Sequence, residues 1–363
     1  MNGLGLHEFH QSLGARFGEV AGEEVVLHYD DALAEHAALT QSAGVLDLSF
    51  RSRVCVLGAD RARFLHGQVT NHIKQLQPGT GCYAAITTNK GKLQSDLHVH
   101  CLAEELLLDF EPGLTANVTG RLEKFVVADD AQFVDVAPHY GLLSVQGPKA
   151  AEAVGALGLF PKLPAAPYQS VKANDAMLGE IHLVNLPRID SEGFDLFVPA
   201  AAMGAVADKL IAAAKQFGGR ACGWNALELA RIEAGIPRFG ADMDETNLPQ
   251  EAGIETRAVS FTKGCYIGQE VINRVRTFGQ VSRALRGLRL PDVLPALPAR
   301  GDKLFHGGKE VGYVTSAVKS PRLNANLALG YVRKECNAIG TELNLRNDSG
   351  EWPATIVEQP FKG

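Results

Sequence analysis

No two of the six cysteines in this 363-residue chain, at positions 55, 82, 101, 222, 265 and 336, stand in a Cys-x-x-Cys spacing. That excludes a zinc or cluster motif local in sequence and fits a reducing compartment. No uninterrupted apolar run is long enough to span a bilayer, so a soluble protein with no membrane partner is expected. The N-terminus, MNGLGLHE, lacks a basic region followed by an apolar one, and without an export signal the expected location is cytoplasmic. Nor is there an excess of positive charge: Lys and Arg number 35 against 41 Asp and Glu, a net charge of -6. Broad, charge-driven nucleic-acid binding is disfavoured; a small anion held by a few arginines is not.

What is present is a chain with 46% apolar residues, long enough for two or three cores. Helical composition over 31–41 is followed by apolar strands at 44–49 and 53–58, and Asp60 is placed to cap a helix through Gln68. Strands are predicted at 83–88, from Leu93 after a hairpin-like turn, and at 106–110, with a helix over 114–126. His98 and His100, two apart on one strand, share a face; no third metal ligand is near in sequence, and an exposed face is expected for them.

After Pro138 the pattern restarts: a strand over 140–148, a helix over 149–156, strands near 176–177, 181–186 and 191–199, and a helix over 200–217. That is the order of a ferredoxin-like unit, with a boundary near 140. A helix over 222–237 is stopped by glycine and proline. Residues 291–298 form a proline-rich linker, and short strands with glycine turns over 301–363 predict a small β-barrel.

One stretch stands out: Lys263-Gly264-Cys265-Tyr266-Ile267-Gly268-Gln269-Glu270. Gly264 and Gly268 permit positive φ and close approach, which suits a tight loop leading into a helix over 268–276. A thiol beside Lys263 and near a helix start would have its thiolate stabilised, ready as a nucleophile or a soft-metal ligand. The residues alone equally allow a small buried apolar side chain in a turn.

The Lys-Gly-Cys-Tyr-x-Gly-Gln-Glu pattern resembles the signature of the YgfZ family of folate-binding proteins, relatives of the glycine-cleavage aminomethyltransferase (T-protein). The wider resemblance runs from about residue 30 and includes Gly44 to Ser49, Phe64 to Gln68, Arg231 to Gly235 and Pro249 to Gly253. It implies an α+β fold of three-domain, aminomethyltransferase-like architecture. Residues 1–138 would form a folate-binding domain completed by 222–280, residues 139–221 a ferredoxin-like middle domain, and 281–363 the C-terminal barrel.

It also implies a site. Where the transferases carry two adjacent aspartates, this chain has Ser95-Asp96. Asp96 is either the acid that works on folate or a solvated turn residue, and with the first acid gone transfer is in doubt. Asp195 corresponds to an acid that accepts the N–H edge of the pterin, or else faces outward. Arg231 would contact folate or form an internal ion pair, and Glu251 would touch ligand or hold its loop. Arg274, Arg276, Arg283, Arg286 and Arg289 form either an anion-attracting cluster or a solvated face.

The resemblance assigns Cys265 as the functional thiol and Lys263 as its electrostatic partner. The implied function is a tetrahydrofolate-binding protein that supports iron-sulfur cluster assembly or repair, and through it tRNA modification. Its partners would be iron-sulfur proteins or assembly factors, with direct tRNA contact left open. The rival reading is a folate-dependent aminomethyl- or methyltransferase, and a third is an interaction module without folate.

Overall fold

The computed structural model describes residues 3–279, 281–348 and 350–362. They divide into two compact units, one formed by residues up to 84 with 95–230, the other by 85–94 with 231 onward. The chain therefore leaves the first unit within the strand Thr80–Thr87, after Ala84, and re-enters it at Ser95, within the strand Leu93–Cys101.

The first unit holds two large sheets. In the five-stranded sheet the order is Thr80–Thr87, Leu93–Cys101, Leu106–Phe110, Ser52–Leu57, Gln132–Asp135. In the six-stranded sheet it is Ser170–Asp175, Gly179–Asn185, Gly193–Pro199, Tyr140–Gln146, Gly44–Asp47, Arg220–Ala221. Alternation along these strands decides what each face buries. Leu46, Leu142 and Phe197 join Cys55 and Leu107 of the five-stranded sheet in one core. Their neighbours Val45, Leu143 and Leu196 face the other way and pack with Val206 and Leu210 of the helix Met203–Gln216.

The predicted order of strand, helix, strands and helix is found over 140–216. Its sheet also recruits Gly44–Asp47, antiparallel to Tyr140–Gln146, and Arg220–Ala221, parallel to Gly44–Asp47. Residues 176–178 are the turn of a hairpin whose first strand is Ser170–Asp175, so the strand predicted near 176–177 lies a few residues earlier. Asp31 caps its helix, accepting from the N–H groups of Leu33 and Ala34 at 2.9 and 3.2 Å. Asp60 stands at the start of Arg61–Gln68 without capping it; its oxygens accept from Asp130 N–H and Arg63. Ahead of residue 31 lie a helix, His7–Ser12, and a hairpin, Arg16–Val20 with Glu23–His28.

The second unit contains a closed six-stranded barrel. Its order is Arg283–Leu290, Ala325–Arg333, Lys309–Ser320, Lys303–His306, Glu342–Asn347 and Gly350–Val357, the last pairing back on the first. Leu288, Leu304, Val314, Ala328, Leu345 and Ile356 fill its interior. Closure removes exposed edges, so a barrel this small needs no cover to protect its ladders. Ahead of it lie the cysteine stretch and the helix Gln269–Phe278. Among the described residues no helix is long and apolar enough to cross a membrane.

Candidate functional site

Leu93–Cys101 is the strand that positions chemistry in the first unit. Leu93, Ser95, Leu97 and Val99 are buried on one face, as the two-residue period requires. Asp96 and His98 are only partly buried on the opposite face, with His100 fully buried beyond them. Ser95, the residue in place of the first family acid, thus points away from Asp96 and donates to the Asp96 carbonyl at 2.9 Å.

Asp96 has an unequal pair of oxygens. Oδ2 accepts from the Tyr83 hydroxyl at 2.7 Å; Oδ1 is buried with no hydrogen-bond partner. Burial, with a smaller push from the Glu111 charge, raises this carboxyl to about 6, against the pull of the Tyr83 hydroxyl and Arg51. An acceptor left bare at such a depth is uncommon in a folded chain.

Aromatic rings continue from Tyr83. The His98 ring lies 5.3 Å from that of Tyr83, and its Nδ1 is 2.9 Å from the Tyr168 hydroxyl. His100 packs against Phe197 at 5.5 Å, and neither of its ring nitrogens has a partner. Burial lowers both imidazoles, His98 well below its usual value and His100 to about 4, so both are neutral at pH 7. The face expected to be exposed is instead covered, partly at His98 and fully at His100, where Tyr168 and Phe197 pack against it.

Beside this row lies a buried ion network. Asp109 accepts from Arg51 Nε at 2.8 Å and from Arg188 Nη2 at 2.6 Å, while Arg51 also donates to Glu111 at 2.6 Å. Between two guanidinium groups Asp109 is held far below the usual carboxylate range, despite its burial. Arg188 turns its fork on Asp195, at 3.0 Å from Nε and 2.6 Å from Nη2. Asp195 is therefore neither an outward-facing acid nor a bare acceptor: it is fully buried and engaged by Arg188. Tyr83, Arg51, Asp109 and Glu111 had not been singled out from the sequence. Toward this region the sequence offers Asp96 and Asp195, marked by the family resemblance, and the shared face of His98 and His100.

The other four expected residues belong to the second unit. Arg231 is buried and donates to Asp242 at 2.5 Å, to the Ile236 carbonyl at 3.1 Å and to the Ser316 hydroxyl at 3.2 Å, which makes the internal ion pair. Glu251 holds its loop: it accepts from Leu248 N–H at 2.9 Å, with Lys92 and Arg283 at 3.5 and 3.7 Å. Lys263 is buried with its ammonium 4.8 Å over the Tyr266 ring. Cys265 is the single exposed cysteine of the six, two residues after Lys263, so the alternative of a buried apolar side chain does not apply to it.

The loop is closed by Gly268, at φ 91°, just before Gln269–Phe278. Thr87 donates its hydroxyl to the Ile267 carbonyl at 2.7 Å and holds that turn. Among the described residues no group of three or more His, Cys, Asp or Glu side chains is arranged to hold a metal ion.

Comparison with known proteins gives two domain matches: the GCVT N-terminal domain over residues 6–263, and the glycine cleavage T-protein C-terminal barrel domain over 283–362. The chain is 29% identical to an aminomethyltransferase of Shouchella clausii over 98% of its own length and 96% of the relative's. It is 30% identical to one of Symbiobacterium thermophilum with the same coverage. Among solved structures, the glycine cleavage system aminomethyltransferase T of Bartonella henselae superposes with a TM-score of 0.89 at 25% identity, covering 99% of this chain and 98% of that one.

Proposed function

Because this chain belongs to the glycine-cleavage T-protein family, we propose that it binds tetrahydrofolate at the Asp96 face of its first unit and acts in folate-dependent aminomethyl transfer. The observation that carries this reading is the buried Asp96 Oδ1 without a partner, next to the Tyr83 and His98 rings. A pterin offers what that oxygen lacks, an N–H donor on a flat ring that can lie against aromatic neighbours. Bound there, tetrahydrofolate would supply the nucleophilic nitrogen that takes up the one-carbon unit.

The chain's own residues would do the rest. Tyr83 fixes the Asp96 carboxylate through Oδ2 and leaves Oδ1 to meet the ligand. With its titration near 6, Asp96 is ionised at neutral pH yet basic enough to take a proton, the range that suits a general base. Ser95 takes nothing from this arrangement, since it lies on the other face of the strand. Asp195 would act by fixing Arg188, in place of binding the pterin edge itself.

Titration calorimetry with tetrahydrofolate tests the reading directly. Wild-type protein should bind, Asp96→Asn should bind at least about tenfold more weakly, and the wild type should release a one-carbon unit from an aminomethyl donor only when tetrahydrofolate is present. No heat with tetrahydrofolate would remove the proposal.

A second reading is favoured by one observation, the exposed thiol of Cys265 in the YgfZ-like loop. On that reading the folate-binding chain supports iron-sulfur proteins or their assembly factors, and so tRNA modification. It requires that a strain carrying only Cys265→Ser lose activity in iron-sulfur enzymes, and full activity there would sink it.

A further inference from the structure

The second unit contains a cleft of about 730 Å³ that takes two members of the arginine cluster, Arg276 and Arg286, and none of the residues placed at the Asp96 face or in the cysteine loop. Its wall combines three cations, Arg276, Arg286 and Lys334, with one carboxylate, Glu255, and the amide of Gln250. The two acceptor groups are incomplete. Gln250 is oriented by donating Nε2 to the Ile272 carbonyl at 3.0 Å, which leaves its Oε1 buried and without a partner. Glu255 likewise has a buried, unpartnered Oε2, and burial raises its titration.

The cations are held in different ways, each leaving donors over. The Arg276 guanidinium lies 3.9 Å over the Phe261 ring, a contact that uses its flat face and keeps its N–H edge available. Arg286 places Nε on the Asn337 carbonyl at 2.9 Å and Nη1 on the Leu285 carbonyl at 3.3 Å, so Nη2 remains. Lys334 is exposed at the rim. Positive charge thus exceeds negative by two in the wall, and next to it are two bare acceptors that need an N–H donor.

We propose that this cleft binds a small amino dicarboxylate, with its carboxylates on Arg276, Arg286 and Lys334 and its ammonium on Glu255 and Gln250. A plain dianion would satisfy the cations but set a carboxylate against Glu255 and leave both acceptors bare. A simple amine would do the reverse. Only a ligand with both signs completes the wall. This inference stands apart from the folate reading, because none of these five residues belongs to the Asp96 face.

The test is calorimetry on the full chain with L-glutamate and with glutarate, which keeps both carboxylates and lacks the ammonium. Wild-type protein should prefer glutamate by about tenfold or more, the effect of one charge-assisted pair. Glu255→Gln should bring the two ligands within about threefold, chiefly by improving glutarate as the repelling carboxylate is removed. Arg276→Gln and Lys334→Gln, both at exposed positions, should weaken both ligands in parallel while circular dichroism shows an unchanged fold. Glutamate binding weaker than about 1 mM, or a preference that survives Glu255→Gln, would overturn the proposal. So would binding of an acidic hexapeptide in the absence of glutamate binding.

Discussion

Two side chains on the strand Leu93–Cys101 carry titrations that act on stability in opposite senses. Asp96 is raised from its ordinary 3.8 to about 6, so between those values the folded chain holds a proton that the unfolded chain has released. Stability is fullest below about 4 and is lost as pH rises through 6, an effect on the order of 2 kcal/mol. Asp96→Asn keeps an acceptor for Tyr83 and removes the charge. It should therefore raise urea stability at pH 7.5 by roughly 1–2 kcal/mol and leave stability at pH 4 almost unchanged. A variant that gained stability while losing tetrahydrofolate would show a group kept for function. His100 works the other way, because burial lowers it from 6.5 to about 4. Here the unfolded chain takes the proton first, and stability is lost as pH falls from about 6.5 toward 4, by up to about 3 kcal/mol. His100→Phe fills the same space against Phe197 and Tyr168 without two unpartnered nitrogens. It should be more stable than wild type at pH 5 by a larger margin than at pH 7.5, and equal margins would refute the assignment.

At the scale of elements, the cysteine loop depends on one backbone conformation. Gly268 sits at φ 91°, and a Cβ there would come within 2.6 Å of both the Thr87 hydroxyl and the Thr88 carbonyl oxygen. Gly268→Ala combines a left-handed backbone with a clash against main chain, and should cost about 2 kcal/mol or more. A fall in the urea midpoint with an unchanged slope would show this; an unchanged midpoint would mean the turn relaxes freely. The glycine itself was legible in the sequence, because the chemistry of a tight turn before a helix is local. So were the strands of the barrel from 311 onward, bounded by glycine turns, and the helix over 31–41, marked by its composition, although the Asp31 cap shows only in the structure. The hairpin Arg16–Val20 with Glu23–His28 was not, since its burial is too uneven to give a clean two-residue period. Asp60 misled for a different reason. Its side chain had a capping position within reach, but the Asp130 N–H and Arg63 took it instead.

At the scale of the whole molecule, the sequence showed where the pattern restarts but not which strands would pair across the restart. Gly44–Asp47 lies about a hundred residues before its partner Tyr140–Gln146, and nothing local in either strand announces that pairing. The ion network has the same origin, since Arg51, Asp109, Arg188 and Asp195 are brought together only by the folded sheets. Family likeness had marked Asp195 but could not reveal that Arg188 would engage it. The cysteines, in contrast, permit a statement about the entire chain. All six are free: Cys265 is exposed, Cys55 and Cys222 are buried, and Cys82, Cys101 and Cys336 are partly covered. Burial raises the titration of Cys55 and Cys222 strongly and that of Cys101 as well, which keeps these sulfurs as unreactive thiols. An aromatic disulfide reagent at pH 7.5 should therefore find one rapidly reacting thiol in the native protein and six in denaturant. Cys265→Ser should abolish the rapid phase and leave five thiols after unfolding. A reductant should leave the melting temperature unchanged, because no disulfide contributes to it. If two or more thiols react rapidly in the native state, Cys265 is not the distinguished sulfur of this chain, and the iron-sulfur reading of its loop loses the observation that favours it.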